Sequence, residues 1–231
     1  MNAGKTTAAA FLVNGLVGAG LSVGAAKITG TGAGGDVWMM VDAGAIPVLD
    51  FTHGGCPSTY RCPAEQVREV LLALTGHLSA AGVDAVVLEV ADGVFQTETA
   101  ALLADSAFAG AVDGIVFAAS DALGAVAGVA RLRALNHPVV AVSGLLTASP
   151  LATREARSAL EGLVVVDPVE ISHPILGLSP AADALSLDAC RSTTSARTAS
   201  PSTHGRYGWP VNLMSAVTAA TYVVAGVAKL K

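Results

Sequence analysis

Six short apolar runs, each followed or preceded by a longer segment with helical spacing, are what most restricts the fold of this chain. The runs are "LSVGAAKI" (21–28), "IPVLDF" (46–51), "DAVVLEV" (84–90), "DGIVFAA" (113–119), "PVVAVSG" (138–144) and "GLVVVD" (162–167). A strand covered on both faces has no polar side to show, so it becomes a near-continuous stretch of Val, Ala, Leu and Ile rather than an alternation. Between the runs, helical spacing covers 5–19, 36–44, 64–81, 97–109, 122–135 and 150–160. The segment 64–81 is the clearest: Pro63 precedes it, Glu65 lies in its first turn, and Val67, Val70, Leu71, Leu74 and Leu78 share one face. This order predicts an α/β fold, a three-layer, doubly wound and mainly parallel sheet.

The pattern holds to residue 167, which is taken as one α/β domain within the 231 residues. Hydrophobic residues make up 52% and aromatics only 4%, so the core is expected to be Ala, Val and Leu in close helix-on-sheet contact. Beyond Asp167 the periodicity weakens: 168–190 is expected to be an irregular extension, and the Ser/Thr/Arg-rich 191–206 a flexible linker. Residues 207–231 are expected to form an apolar helix or strand. The uncharged stretch 208–228 contains Pro210, Asn212, Ser215, Thr218 and Thr221, which makes it a poor membrane span and favours a packed or frayed terminal helix. A formal charge of −5 gives no basic footprint for nucleic acid or an anionic membrane. With three cysteines and no leader pattern, the expected location is the cytoplasm.

The chemistry-bearing residues begin with "NAGKTT", Asn2 to Thr7, directly before a helical run. Gly4, Lys5 and Thr6 match the end of the phosphate-loop pattern G-x-x-x-x-G-K-[ST], in which free N–H groups at a helix start hold a phosphate, the lysine reaches the β- and γ-phosphates and the hydroxyl meets Mg²⁺. Lys27 closes the run at 21–28 and precedes a Gly/Thr-rich loop with Thr29, Thr31 and Asp36, suited to an anionic substrate. Glu89 ends a third run, with Asp92 just beyond it. A carboxylate there needs a cation, and Mg²⁺ beside the phosphates is the natural one, with Glu89 preferred and Asp92 second. Loops leaving the carboxyl ends of strands offer Asp50, Thr52, His53 and Ser58 on the substrate side, and Ser143 and Gly144 near a nucleotide base. His53, Cys56 and Cys62 provide three loosely spaced ligands without a fourth, so a reduced cysteine pair is favoured over zinc. His77, His137, His173 and His204 are isolated and read as surface or capping residues.

The series "MNAGKTT", "GLSVGAAKITGTGAGGD", "VDAGAIPVLDF" and "GVDAVVLEVADG" resembles the dethiobiotin synthetase and molybdopterin-guanine-dinucleotide biosynthesis (MobB-like) branch of the P-loop NTPases over residues 1–166. The resemblance implies ATP or GTP with Mg²⁺, a lysine at the position of Lys27, a short helix ending in "AGA" as at 43–45, and a strand-borne glutamate as at Glu89. It implies an ATP-dependent ligase, kinase or ATPase acting on a small anionic metabolite, with a homodimer as an allowed assembly. The alternatives are a non-catalytic accessory protein of cofactor biosynthesis, a relative linked to D-glutamate N-acetylation, and a degenerate chain without nucleotide binding. Three departures leave the substrate open: "ITGTG" where MobB-like proteins carry histidines, three residues between Glu89 and Gly93, and "VFAASDALG" where the glutamate-linked family has a His-Gln-Pro-Gly-like stretch.

The front of the phosphate loop and the strand that would feed it do not precede Met1 in the sequence. Three accounts are open: Met1 is an internal methionine of a longer chain, the sheet lacks its central first strand, or another segment such as "TYVVAGV" (221–227) occupies that place.

Overall fold

The computed structural model describes residues 3–32, 34–172, 218–220 and 223–225. It is a mixed α/β fold whose strands are mainly parallel, in a generic Rossmann-like arrangement. Helix α1 (Lys5–Gly18) leads to β1 (Val23–Thr29), α2 (Gly34–Asp42), β2 (Val48–Asp50), α3 (Ala64–Ala80) and β3 (Ala85–Val90). Next come α4 (Thr97–Ala104), α5 (Ser106–Ala111), β4 (Ile115–Ala118), α6 (Ala122–Ala134), β5 (Val139–Ser143) and a 3-10 turn at Leu145–Ala148. The remaining elements are α7 (Pro150–Ala159), β6 (Val164–Val165), α8 (Pro168–Ile171), β7 (Thr218–Ala220) and β8 (Val223–Ala225). Every apolar run of the sequence holds a strand.

Strand β1 lies between β2 and β3, parallel to both, while β4, β5 and β6 form a second parallel group. All residues of β1 and β3 are buried, because their two faces meet different helices. On one face Ala26, Ile28, Val86, Leu88 and Val90 join Val67, Val70, Leu71, Leu74 and Leu78 of α3. On the other, Val23, Ala25, Ala85 and Val87 join Ala9, Val13 and Leu16 of α1 and Met40 of α2. The period-2 alternation of strand side chains makes this partition, and it sends Lys27 and Glu89 to the α1 face along with Ala25 and Val87. In the second group α6 approaches β4 so closely that a Cβ on Gly128 would overlap the ring of Phe117.

Two expectations are corrected. The helix expected over 97–109 is two helices, because Asp105 takes an extended conformation (φ −80, ψ 136) and its carboxylate accepts the Ala107 N–H at 2.7 Å, starting α5 afresh. The extension at 168–190 opens with a short helix, α8, built by a reciprocal capping box between Asp167 and Glu170; residues 173–190 and the linker at 191–206 lie outside the described residues. Of the terminal segment, expected as a helix or strand, 218–220 and 223–225 are strands: β8 pairs antiparallel with β4 (Val116↔Ala225, Phe117↔Val224) and with β7. Strand β8 also lies against β3. Among the described residues no helix is long and apolar enough to cross a membrane.

Candidate functional site

The start of α1 is held against the loop that follows β5. Gly4 is left-handed (φ 78, ψ 30), a conformation that favours glycine, and a Cβ there would stand 3.1 Å from the Leu145 nitrogen. The Leu145 N–H donates to the Ala3 carbonyl at 2.9 Å, and Gly144 (φ 99) faces that same carbonyl so closely that a Cβ would overlap it. With glycine as N-cap, no side chain caps the helix and no acidic residue lies in its first turn. The N–H groups of the first turn, together with the helix dipole, therefore give this end a positive potential.

Polar side chains converge on that end. The Thr6 hydroxyl lies 3.0 Å from Asp36 Oδ1 and 3.1 Å from Glu89 Oε1. The Lys27 ammonium pairs with Asp36 Oδ2, and Lys5 Nζ stands 3.9 Å from Asp92 Oδ1. Lys27 and Glu89 are register partners across β1 and β3, which is why two charged residues far apart in sequence meet on one face. Both are buried, Glu89 completely.

Burial pushes the Glu89 carboxyl up to about 7; Lys27 opposes the rise and Asp36 adds to it. Burial also lowers Lys5, against the pull of Glu89 and Asp92. A single hydroxyl hydrogen on Thr6 cannot serve two carboxylates at once. A protonated Glu89 removes the conflict, because it donates to Thr6 while Thr6 donates to Asp36. Among the described residues Glu89 Oε2 is buried with no hydrogen-bond partner, as is the Ser143 hydroxyl at the end of β5.

The other sequence candidates separate into two groups. Asp36, expected on the substrate side, stands between Thr6 and Lys27, close to Glu89. Thr29 is buried and donates its hydroxyl to the Ala91 carbonyl, so it ties β1 to the loop after β3. Asp50, Thr52 and His53 form a turn of their own: the Thr52 N–H and the His53 ring each lie 3.0 Å from Asp50 Oδ1. Burial opposes, but these bonds win and hold the Asp50 carboxyl below its ordinary value. Ser58 donates to the Gly30 carbonyl at 3.3 Å, Thr31 is exposed, Thr7 is half-buried, and Asn2 lies outside the described residues.

Among the described residues no group of three or more His, Cys, Asp or Glu side chains is arranged to hold a metal. Cys56 is buried and Cys62 half-buried, both as free thiols, with Cys62 Sγ 3.2 Å from the Ser58 carbonyl. His137 is not a surface residue: it is 5% exposed, its Nε2 lies 2.6 Å from the Leu103 carbonyl, and its ring meets Phe108 edge-on. His77 is exposed on α3, whereas His173 and His204 lie outside the described residues.

No protein-family model, curated protein or solved structure matches this chain. The functional reading therefore stands on the geometry alone. Sequence reasoning overlooked Glu98 and Arg61: Glu98 belongs to no motif or strand and sits in the first turn of α4, where an acidic residue passes for an ordinary helix-start charge.

Proposed function

We propose that the chain binds a nucleoside triphosphate, ATP or GTP, with Mg²⁺ at the start of α1, and uses it to phosphorylate or otherwise activate a small anionic metabolite. The fold would then be a doubly wound P-loop NTPase-like domain of the dethiobiotin synthetase and MobB-like type. One observation carries the reading: an uncapped helix start with Lys5 and Thr6 in its first turn meets Asp36, Glu89 and Lys27 in a single polar cluster.

The donor set suits Mg²⁺. That ion takes hard oxygen ligands and is commonly held by one or two carboxylates, the rest of its shell coming from water and phosphate oxygens. Thr6, Asp36 and Glu89 supply such oxygens, and the buried Oε2 of Glu89 has a coordination need that no described residue meets. A bound Mg²⁺ would supply charge neutralisation for the phosphates. The N–H groups of the first turn of α1 would orient the phosphate chain, and Lys5 would lie along it. Lys27, buried beside Glu89, would stabilise negative charge that develops on the transferred group, where low dielectric makes a fixed cation most effective.

Calorimetric titration of the full chain with ATP and GTP, with and without Mg²⁺, tests the reading. Saturable binding that is lost in Lys5→Ala is the expected result. Lys27→Ala should keep nucleotide binding and lose the release of ADP or GDP. Failure of the unaltered chain to bind either nucleotide, or binding indifferent to Lys5→Ala, would overturn it.

A further inference from the structure

Cys56 and Cys62 bracket the part of the loop after β2 that is seated beside Lys27. Thr59, 3% exposed, donates its N–H to the Gly30 carbonyl at 3.1 Å and accepts the Gly30 N–H on its hydroxyl at 2.8 Å. The Ser58 hydroxyl donates to the same carbonyl at 3.3 Å. Gly30 in turn lies under the Lys27 side chain, since a Cβ there would be 2.7 Å from Lys27 Cε. Two residues beyond Thr59, Arg61 is left-handed (φ 59), and its N–H donates to the buried carboxylate of Glu98 in α4. These contacts all fall between the two cysteines.

The thiols themselves meet. Cys56 and Cys62 are within hydrogen-bond reach of one another, with the Gln66 side chain on Cys56 as well. A tight turn brings them together: the Cys62 N–H donates to the Thr59 carbonyl at 3.1 Å and the Cys62 thiol to the Ser58 carbonyl at 3.2 Å. Cys56 is held from the other side by its N–H bond to the Phe51 carbonyl at 3.0 Å, and its side chain joins the core with Val67 and Val70 of α3. The pair is asymmetric. Cys56 is 1% exposed, and burial and the neighbouring thiol both push it up, whereas Cys62 is half-buried. One thiol can be reached from solvent and the other only through its partner, the arrangement of an attacking and a resolving cysteine. A free cysteine commonly serves as a small core residue, but that use gives no reason for a second, half-open thiol against the first.

We propose that Cys56 and Cys62 form a reversible disulfide that fastens the loop between them onto Gly30, with a small-molecule disulfide such as oxidised glutathione as the oxidant. Cys62, as the thiolate, attacks one sulfur of that disulfide; its S–S bond breaks, a small thiolate leaves, and Cys62 carries a mixed disulfide. Cys56, as the thiolate, then attacks Cys62 Sγ and expels the second small thiolate. The two protons given up by the protein thiols end on the two small thiols released, so the protein loses two electrons and the oxidant gains them. The new bond closes a short loop and restricts its freedom to leave Gly30. No step needs a nucleotide, so the device stands apart from the phosphate site even though it reaches Lys27 through Gly30.

The test uses the full chain carrying Cys190→Ser, which leaves this pair as its cysteines, equilibrated in buffers of reduced and oxidised glutathione and quenched with acid and an alkylating agent. Mass spectrometry should show both thiols disappearing together at a single midpoint, with a peptide that links 56 to 62. Amide hydrogen exchange at Gly30, whose N–H is held by Thr59, should slow by roughly tenfold in the oxidised form, within the limit of about fiftyfold that closing so short a loop allows. Cys62→Ser should leave Cys56 a free thiol and Gly30 exchange the same in both buffers; Cys62 is half-buried, so this change spares the core that Cys56→Ser would disturb. Two free thiols at the most oxidising ratio, a mixed disulfide on Cys62 that never passes to Cys56, or Gly30 exchange indifferent to the linkage would each overturn the proposal. Neither readout involves a nucleotide, so such a failure leaves the reading above untouched, and a chain that binds no nucleotide leaves the disulfide standing.

Discussion

Replacing Glu89 by Gln should change how the stability of the protein depends on pH. The carboxyl is fully buried, and its folded value is about 7 against 4.5 for an ordinary glutamate. Between those two values the native state keeps a proton that the unfolded chain has given up. Stability must therefore fall as pH rises through that window: the contribution is whole below 4.5 and lost above 7. At about 1.4 kcal/mol for each pH unit of separation, the total change is about 3 kcal/mol. Glutamine mimics the protonated form and has no such dependence. Loss of the bond that a protonated Glu89 makes to Thr6 shifts the variant's stability by a constant and leaves its slope unaffected. Urea unfolding of both proteins across this range, in chelator-containing buffer free of Mg²⁺ and nucleotide, gives the difference directly. Above pH 7 the variant should have gained about 3 kcal/mol on the parent relative to the acid end. A difference that stays constant across the window would refute the assignment of a shared proton to this cluster.

Other outcomes follow from the same structure. Binding of Mg²⁺ with nucleotide should release protons below pH 7, since a metal-bound carboxylate must be ionised; titrations in buffers of different ionisation enthalpy would measure the release, and Glu89→Gln should abolish it. Gly128→Val should cost about 1–3 kcal/mol in urea unfolding, because the added side chain overlaps the buried ring of Phe117. Burial lowers the His137 pKa against the help of the Leu103 carbonyl, so this residue favours folding above its ordinary value and withdraws that support as pH falls; His137→Gln should flatten the acid limb of the stability profile.

Much of the scaffold was legible because burial on two faces leaves a simple trace. The runs at 84–90 and 138–144 contain β3 (85–90) and β5 (139–143), and the helical spacing at 64–81 yields 64–80. Their covering helices were readable for the same reason. Lys27 and Glu89 were legible as charges interrupting apolar strands, an expensive placement that needs a partner. The bond between Asp36 and Thr6 was not legible because the two are 30 residues apart, and no local spacing encodes a bond of that range. The break at Asp105 was open to reading, since Asp followed by Ser is a common helix start, but the apolar spacing on either side hid it. Arg61 left no trace of its own: a left-handed backbone held by a glutamate from another loop is a tertiary effect that propensity does not express.

The position of β8 has a consequence for how the molecule assembles. Residues 115–118 find their antiparallel neighbour at 223–225, so β4 gains its second partner through a contact spanning nearly half of the chain. The pairings among β1, β2 and β3, and among β4, β5 and β6, are far more local and can form while later residues are still being synthesised. Closing the seam carries the largest loop-closure entropy and comes last. Until then β4 presents an open apolar edge, and this interval is when a nascent chain is most exposed to pairing with another copy of itself.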